Sequence, residues 1–397
     1  MVVDEFPAFG DSQTRAIGTP DEGKTSWAEG DELLLEIDNT SYGKQYATFT
    51  YNGSSWELTS GELVYREGDP AYIPHVYYAP NYKWEAGKLV LKEGKAAGTD
   101  EYIEGKANIT PNGQGINVSF TDATRNYSRL RIATMPNKQI TVAINKYIPA
   151  GSSSMEWFQD IALTSDEKGN AYLYGTFVRY FDFEVKYEGA PLASHTFYQA
   201  AENAKSYALD ATVVSLADEG ITYDQIVGNV KKELDAGKTY INLMLAPDAD
   251  EETLDAIHIG LAGASYGTIN LTLIGCKKIP SGGFMYWKML KSIALPDVTE
   301  IAEKAFLDCT RLQKVVLGNL TKVYGKAGEK GIFEGCRTKD IDLILSKDQK
   351  VMNGGKTEGG YCWTADITKD YSGSDEHNGR VFLNYDFQSI TCDYQVP

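Results

Sequence analysis

The fold of the second half of the chain is decided by one stretch, Leu290-Lys291-Ser292-Ile293-Ala294-Leu295-Pro296-Asp297-Val298-Thr299-Glu300-Ile301. Its apolar pattern returns 22 residues later in 312–323, and 268–279 carries the same pattern 22 residues earlier. Such a period predicts stacked units that bury one shared core, because a single unit cannot cover its own apolar face. We assign to this core Leu271, Leu273, Ile279, Phe284, Ile293, Leu295, Ile301, Phe306, Cys309, Leu312, Val315, Leu317, Val323, Phe333 and Cys336.

Two features interrupt the regularity of the repeat. Five extra residues around 325–331 lengthen the third unit, after which the phrase 306–309 recurs as Phe333-Glu334-Gly335-Cys336. In the first unit Trp287 takes the position that small buried cysteines hold later, so we expect it to fill a wider turn. Tyr286 and Trp287 are the candidate binding residues, and core packing is the alternative for the tryptophan.

The repeat resembles a known family. The phrase from Leu290 to Ile301, with Ala305-Phe306 and Cys309 behind it, is similar to the BspA-like subclass of bacterial leucine-rich repeats. The resemblance covers 269–345, or 208–345 if the preceding strand, helix and strand form an N-terminal cap. It implies a short α/β leucine-rich-repeat solenoid in which each unit supplies one strand and a return segment. Because few units are visible, the concave face of the solenoid is expected to be small.

The region before the repeat predicts a strand, a helix and a second strand. Thr222 and Gln225 form a capping-box pair ahead of an apolar helical face that stops at Gly237. Strands are predicted at 240–245 and 269–273, with a helix between them. A connection of this length predicts a parallel crossover.

The first half of the chain reads as β-structure. Apolar and polar residues alternate at 33–37, 140–144 and 181–187, with no helical pattern between them. This alternation predicts antiparallel sandwiches in which each sheet keeps one solvated face. Asn52-Gly53 between two such runs predicts a hairpin with a type I′ turn.

A second resemblance lies near the N-terminus. Thr14-Arg15-Ala16, upstream of the phrase from Ser26 to Glu32 and of β-rich sequence, is similar to the start of fimbrillin-like (Mfa-like) surface proteins of Bacteroidetes-type bacteria. It implies two β-sandwich domains behind a lipoprotein signal, export to the cell surface or outer membrane, and attachment through a lipid anchor. We expect that signal to lie upstream of Met1, and Arg15 is the candidate processing site.

These patterns predict a multidomain protein in which all-β antiparallel sandwich modules precede a short α/β leucine-rich-repeat solenoid. Residues 1–107 are expected to form a fimbrillin-like sandwich and 108–207 a second sandwich. Residues 208–397 are expected to form the repeat domain with its N-terminal α/β cap and a C-terminal tail.

The composition excludes two classes of partner. Lys and Arg total 38 against 55 Asp and Glu, which gives a net charge of -17. Such a field repels phosphate backbones and anionic lipid, so nucleic acid is not expected as a partner. No apolar run is long enough to span a bilayer, so we expect membrane contact only through a lipid anchor.

Patterns of catalysis and metal binding are missing from the sequence. The histidines lack the spacing of a metal motif: they are His75, His195, His258 and His377. Asp248–Glu252 and Asp370–Gly379 are rich in oxygen ligands but lack the ordered carboxylates of a calcium loop. We expect no catalytic residue, no metal and no cofactor. Cys362 and Cys392 are the plausible disulfide pair, and the sequence leaves their state open.

The leading functional prediction is a non-enzymatic cell-surface binding or adhesion protein. Its expected partner is a host or bacterial surface protein or glycan, recognised by the repeat domain. The alternative is a pilus (fimbrial) subunit or tip protein that joins other subunits by strand exchange. The donor strand would lie near Arg15 after cleavage there, or at 381–387. A polysaccharide hydrolase is a third hypothesis, but nothing in the sequence selects a catalytic pair of carboxylates.

Overall fold

A computed structural model describes residues 1–7, 9–11, 24–64, 70–110, 115–120, 125–324, 331–346, 349, 381–383 and 385–394. The chain is mostly β-structure in several sheets, and the described residues contain two α-helices. Contacts divide the chain into two units. The first comprises Met1–Phe183 and His195–Asp210, and the second comprises Glu184–Ser194 and Ala211–Pro397.

The β-rich first half forms two large sheets and one small hairpin. Its strands are β1 (Val2–Val3), β2 (Gly10–Asp11), β3 (Glu32–Asn39), β4 (Gly43–Tyr51), β5 (Trp56–Gly61), β6 (Ala71–Tyr78), β7 (Tyr82–Glu85), β8 (Lys88–Leu91), β9 (Ile103–Ile109), β10 (Ile116–Ser119), β11 (Ser128–Ala133), β12 (Gln139–Pro149), β13 (Glu156–Thr164), β14 (Asn170–Thr176), β15 (Phe181–Tyr187), β16 (Ala190–Phe197) and β17 (Lys205–Asp210). The first sheet has the order β1-β10-β9-β6-β3-β4-β5. The second has the order β16-β15-β12-β14-β11-β17-β2, with β13 paired to β12.

The first sheet is covered on both faces at β3. Leu33 and Leu35 lie in its main core, as the alternation predicts. Leu34 points to the other face, where we expected solvent, but it is buried with Tyr82 and Trp84 of the hairpin β7–β8. The prediction of one solvated face fails here because a local hairpin supplies a second apolar layer.

Three strand pairs differ from the antiparallel prediction. β1 runs parallel to β10, β11 runs parallel to β17, and β17 runs parallel to β2. Hairpins must be antiparallel because a short turn reverses the chain, whereas these three pairs join segments that are far apart in sequence. Residues 107 and 108 lie inside β9, and β10 pairs with β9, so the first sheet extends to Ser119. The predicted domain boundaries stay a prediction.

The hairpin predicted at Asn52-Gly53 is present, but its turn type was wrong. Tyr51 pairs with Trp56, which leaves a loop of residues 52–55 in place of a two-residue turn. The Asn52 side-chain oxygen accepts hydrogen bonds from the backbone N–H groups of Ser54 (2.9 Å) and Ser55 (2.7 Å). A turn closed by an asparagine side chain needs fewer residues with positive φ than a type I′ turn does.

The second unit contains the helices and the repeat. Its elements are β18 (Val214–Leu216), α1 (Tyr223–Asp235), β19 (Tyr240–Leu245), α2 (Glu251–Gly260), β20 (Ile269–Ile274), β21 (Lys278–Ile279), β22 (Leu290–Leu295), β23 (Glu300–Ala302), β24 (Lys314–Leu317), β25 (Lys322–Tyr324), β26 (Asp342–Ser346), β27 (Val381–Phe382), β28 (Tyr385–Asp386) and β29 (Ser389–Tyr394). The capping box is confirmed, because Thr222 and Gln225 each bond the other's backbone N–H. The parallel crossover is confirmed by the pairing of Ile241 in β19 with Leu271 in β20.

Successive 22-residue segments lie side by side in a parallel sheet. Its order is β18-β19-β20-β22-β24-β26-β29, and Ile293 pairs with Leu271 on one side and with Val315 on the other. Each segment also adds a strand to the parallel sheet β21-β23-β25, where Ile301 pairs with Ile279 and Val323. Residues that are 22 apart in sequence therefore lie next to each other on adjacent strands. We call this stack of segments the ladder.

One apolar core fills the ladder. All fifteen residues assigned to the repeat core are buried except Cys336, which is half-buried. Phe306 stacks between Phe284 (5.3 Å between centroids) and Phe333 (4.9 Å). The thiols of Cys309 and Cys336 each lie 2.9 Å from the carbonyl oxygen of the phenylalanine one segment earlier. A small residue with a weak donor therefore fits this position in each turn.

The tip of the hairpin β15–β16, residues 184–194, covers the outward face of the ladder's main sheet. Ala190 packs with Ala294 and Val316, which point away from the ladder core. The Thr272 hydroxyl donates to the carbonyl oxygen of Pro191 at 2.6 Å. We call this segment the tip. Further contacts are Ser194 with Tyr240 (2.6 Å), Asn242 Nδ2 with the Leu192 carbonyl oxygen (3.0 Å) and Lys314 with Glu184 (2.8 Å).

The tail segment considered as a donor strand lies within the second unit. Phe382 and Phe387 are buried in the ladder core, and Phe387 meets the Phe333 ring edge-on at 5.3 Å. Neither helix of the described chain has the length and apolar character needed to cross a bilayer. Arg15, with Thr14 and Ala16, lies outside the described residues. So does Cys362, and the possible disulfide with Cys392 stays untested.

Candidate functional site

An open cleft lies beside the first turn of the ladder. Its volume is about 570 Å³, and it is lined by Glu251, Glu252, Asp255, His258, Gly282, Gly283, Met285 and Trp287. One wall is helix α2, and the other is the turn that carries the candidate binding residues. The cleft combines carboxylates with an aromatic and a thioether side chain.

Helix α2 places four ionisable side chains along the cleft. Its N-cap, Asp250, accepts a hydrogen bond from the Thr253 backbone N–H at 2.9 Å, which holds the pKa of Asp250 below its usual range. From this start the helical period brings Glu251, Asp255 and His258 to one side, because residues three and four apart are neighbours. The segment Asp248–Glu252 therefore contains the start of a helix. This agrees with its lack of the ordered carboxylates of a calcium loop.

The aromatic wall of the cleft is mostly part of the core. Trp287 is 2% exposed, meets the Phe284 ring edge-on at 5.0 Å, and stacks on the His258 imidazole at 4.8 Å. Burial lowers the pKa of His258, and the Asp255 carboxylate opposes this shift. The imidazole is therefore neutral near pH 7. Of the two predicted binding residues, only Tyr286 offers a ring to solvent, with 51% of its surface exposed.

Tyr286 is held in a backbone conformation that tyrosine rarely adopts. Its φ is 67°, in the left-handed region, and its N–H donates to the Leu307 carbonyl oxygen at 2.8 Å. The equivalent positions in the next two turns are Asp308 (φ 57°) and Gly335 (φ 77°). Asp and Gly tolerate this conformation, whereas a bulky residue there is an outlier. Each turn of the ladder thus requires a positive φ at this position. In the first turn the residue there is Tyr286, whose ring is half-exposed.

The described histidines are engaged in packing or surface pairing. His75 Nδ1 lies 2.9 Å from the Glu104 carboxylate on the surface of the first unit. The His195 ring meets Phe197 edge-on at 5.1 Å, and burial lowers the pKa of His195. His258 stacks on Trp287, while His377 lies outside the described residues. Within the described ranges, no group of three or more His, Cys, Asp or Glu side chains could hold a metal ion.

The thiols of the ladder are poorly suited to nucleophilic chemistry. Burial raises the pKa of Cys276 to about 11. The pKa of Cys309 lies well above its ordinary value because of its contact with Cys336 and its burial. Since the thiolate is the reactive form, both groups are protonated and unreactive near neutral pH.

Three tryptophans of the first unit mostly pack inside it. Trp27 meets Trp56 edge-on at 5.2 Å, and Trp56 is 9% exposed. Trp84 lies 4.7 Å from the Tyr46 ring under the hairpin β7–β8. The acidic segment Asp370–Gly379 lies outside the described residues.

No protein-family model matches the chain, and no curated protein matches it either.

Proposed function

We propose that the chain is a non-enzymatic binding protein of a bacterial cell surface. In this proposal the ladder is a short leucine-rich-repeat solenoid of the BspA-like type, and the first half is fimbrillin-like. The cleft beside Tyr286 is the recognition site for a host or bacterial surface protein or glycan. A lipid anchor upstream of Met1 would attach the protein to the outer membrane.

One observation carries this proposal: Tyr286 is half-exposed, has a left-handed backbone conformation, and lies between Met285 and Trp287, which both line the open cleft. Strained residues of this kind persist where the surroundings fix them, and they cluster at functional sites. A tyrosine side chain offers a rigid apolar ring that ends in a polar hydroxyl group, which is typical of recognition surfaces. The stacking of equivalent segments supports the solenoid, because it is how repeat proteins bury their core.

The tip determines which face of the ladder is offered to a partner. Residues 184–194 cover the outward face of the main sheet, so recognition there is limited. The turns between the strands, where Tyr286 lies, remain on the surface. We therefore assign recognition to the turn side of the ladder and not to the sheet.

Binding of the full chain to arrays of glycans and matrix proteins tests this assignment. Tyr286→Gly removes the ring and suits the left-handed backbone, so the variant is expected to fold and to bind at least about tenfold more weakly. Tyr266→Ala is the matched control, since Tyr266 is 68% exposed in the same unit but lies between α2 and β20, outside the turn that carries Tyr286. Equal binding by wild type and Tyr286→Gly would remove the cleft as the recognition site.

The second candidate function is a pilus subunit that assembles by strand exchange. The observation in its favour is that the N-terminal segment adds edge strands to both sheets of the first unit. Phe6 and Phe9 of this segment are buried, and the Arg125 guanidinium lies 4.0 Å from the centroid of the Phe9 ring. Loss of a segment held in this way would leave two sheet edges without a partner.

Limited cleavage with an Arg-specific protease tests the second candidate. A pilus subunit is expected to form a series of oligomer bands on native gels after cleavage. The variant Arg15→Ala is expected to prevent this oligomerisation. A cleaved protein that stays monomeric contradicts strand exchange.

A further inference from the structure

Two exposed aromatic rings lie side by side on β13 of the first unit. Phe158 is 81% exposed and Trp157 is 54% exposed. Their ring centroids are 6.4 Å apart, with an angle of 38° between the planes. The Lys146 ammonium lies 6.0 Å from the Trp157 centroid. We call this pair of rings the β13 platform.

The backbone places both rings on one side of the strand. Neighbouring side chains of a regular strand point to opposite faces, which would separate the two rings widely. Phe158 instead has a φ of 50°, in the left-handed region, although the strand pairs regularly with β12 on either side of it. The flanking pairs are Ile144 with Gln159 and Lys146 with Trp157. A strained residue inside a paired strand therefore creates the platform.

Neither the strain nor the exposure is offset by packing within the described chain. A bulky residue with a left-handed backbone costs free energy, and so does the exposure of two adjacent aromatic rings to water. A ligand that stacks on the rings would offset both costs. The platform is thus a candidate contact surface, independent of the cleft beside Tyr286.

The surroundings of the platform narrow the chemistry of its ligand. Glu156 and Asp160 flank the rings on the same strand, and the chain carries a net charge of -17. This field disfavours phosphate, sulfate and anionic lipid. Addition of a partner strand is also disfavoured, because a left-handed residue interrupts the edge that such a strand would need.

We propose that the β13 platform binds a neutral oligosaccharide. Sugar rings have apolar C–H faces that stack on aromatic rings, and two neighbouring aromatic rings suit two successive sugar residues. Sugar hydroxyl groups can donate hydrogen bonds to the carboxylates of Glu156 and Asp160 and pair with the amide of Gln159. A neutral ligand meets no repulsion from the acidic field. Stacking on the two rings selects a ligand with apolar C–H faces. The flanking polar groups then determine which sugar binds.

Tryptophan fluorescence of the full chain provides a direct readout. Among the tryptophans of the described chain, only Trp157 is exposed, so sugar stacking should shift its emission to shorter wavelength. The probes are neutral glucan, mannan and chitin oligosaccharides, with a sulfated glycan and phosphatidylcholine vesicles alongside. Isothermal titration calorimetry gives the affinity of each probe that shifts the emission.

Two variants and one control decide the outcome. Trp157→Ala and Phe158→Gly are each expected to weaken oligosaccharide binding about tenfold or more, the loss of one stacked ring. Glycine accepts the left-handed backbone, so Phe158→Gly should melt no lower than wild type and should still fail to bind. The control Tyr42→Ala removes an exposed aromatic ring elsewhere in the first unit and should bind normally.

Three results would overturn the proposal. The first is that no neutral oligosaccharide in the panel binds, and the second is that binding persists in both variants. The third is that the variants abolish vesicle or sulfated-glycan binding instead, which would assign the platform to another ligand. Failure here leaves the Tyr286→Gly experiment unaffected, because the two tests use different variants in different units.

Discussion

Truncation of Phe306 to alanine is the sharpest test of the ladder core. Phe306 is fully buried between Phe284 and Phe333, with interplanar angles of 10° and 13°. Removing a buried phenylalanine costs about 3–5 kcal/mol, and the loss of two ring pairs places this site near the upper end. Since a whole domain is stable by about 5–15 kcal/mol, a loss near 5 kcal/mol should remove between about a third and all of the stability of the second unit.

Urea unfolding followed by circular dichroism and by tryptophan fluorescence measures this cost. Because contacts divide the chain into two units, the curves are fitted with two transitions, and only that of the second unit is expected to move. Phe306→Leu keeps most of the side-chain volume and should cost about 1–2 kcal/mol. Phe158→Ala truncates an exposed ring in the first unit and should leave the ladder transition in place. A cost below about 1 kcal/mol for Phe306→Ala would refute the assignment of this residue to a continuous core.

Three further predictions follow from single contacts of the second unit. Gly335→Ala should lower the free energy of unfolding by more than about 1 kcal/mol, because φ is 77° and a Cβ would collide with the Asp308 carboxylate; an unchanged urea midpoint would contradict this. Thr272→Val should cost about 1–3 kcal/mol and speed proteolysis of the tip, since the Pro191 carbonyl oxygen loses its donor; wild-type cleavage rates would speak against the tip contact. The folded pKa of His258 lies below its unfolded value of 6.5, so the unfolded state binds the proton more readily and stability falls as the pH drops below 6.5. His258→Gln should make the melting temperature less sensitive to acid in that window, and an identical pH profile would count against the burial of the imidazole.

The ladder could be predicted from the sequence because its determinants are local. Residues 22 apart occupy the same place in a repeated turn, and this makes Ile293 the neighbour of Leu271 and Val315. The inference survives the longer third unit, since Phe333 stacks on Phe306 despite the insertion before it. Such regularity needs no knowledge of distant parts of the chain.

The tip could not be predicted, because its contacts depend on a surface far away in sequence. Residues 184–194 alternate like any other strand pair, and nothing in them specifies which face they will cover. The turn at Asn52-Gly53 also differs from the predicted type. Asn52-Gly53 forms a four-residue loop, whereas Glu188-Gly189 at the tip has positive φ at both positions (50° and 82°), as a type I′ turn requires. Local hydrogen bonds to the Asn52 side chain therefore outweighed the preference of Asn-Gly for a type I′ turn.

Only one wall of the candidate cleft could be predicted from the sequence. Tyr286 and Trp287 were predicted as binding residues, but the sequence did not show that acidic residues of α2 would line a cleft with Trp287. An alignment of the units shows Tyr286, Asp308 and Gly335 at one position. Aspartate and glycine are the residues expected in left-handed turns, so the tyrosine among them already indicates backbone strain in the sequence.

The tip also fixes how many repeat units lie between β20 and β24. Its eleven residues touch β19 through Asn242, β20 through Thr272, and β24 through both Lys314 and Val316. An open array can gain or lose a unit by duplication, since each unit meets only its neighbours. Here an additional unit between β20 and β24 would carry the last two contacts out of reach of the tip. Units are therefore expected to be gained or lost only beyond β24. Between β19 and β24, where the tip contacts the sheet, evolution should proceed by substitution of single residues.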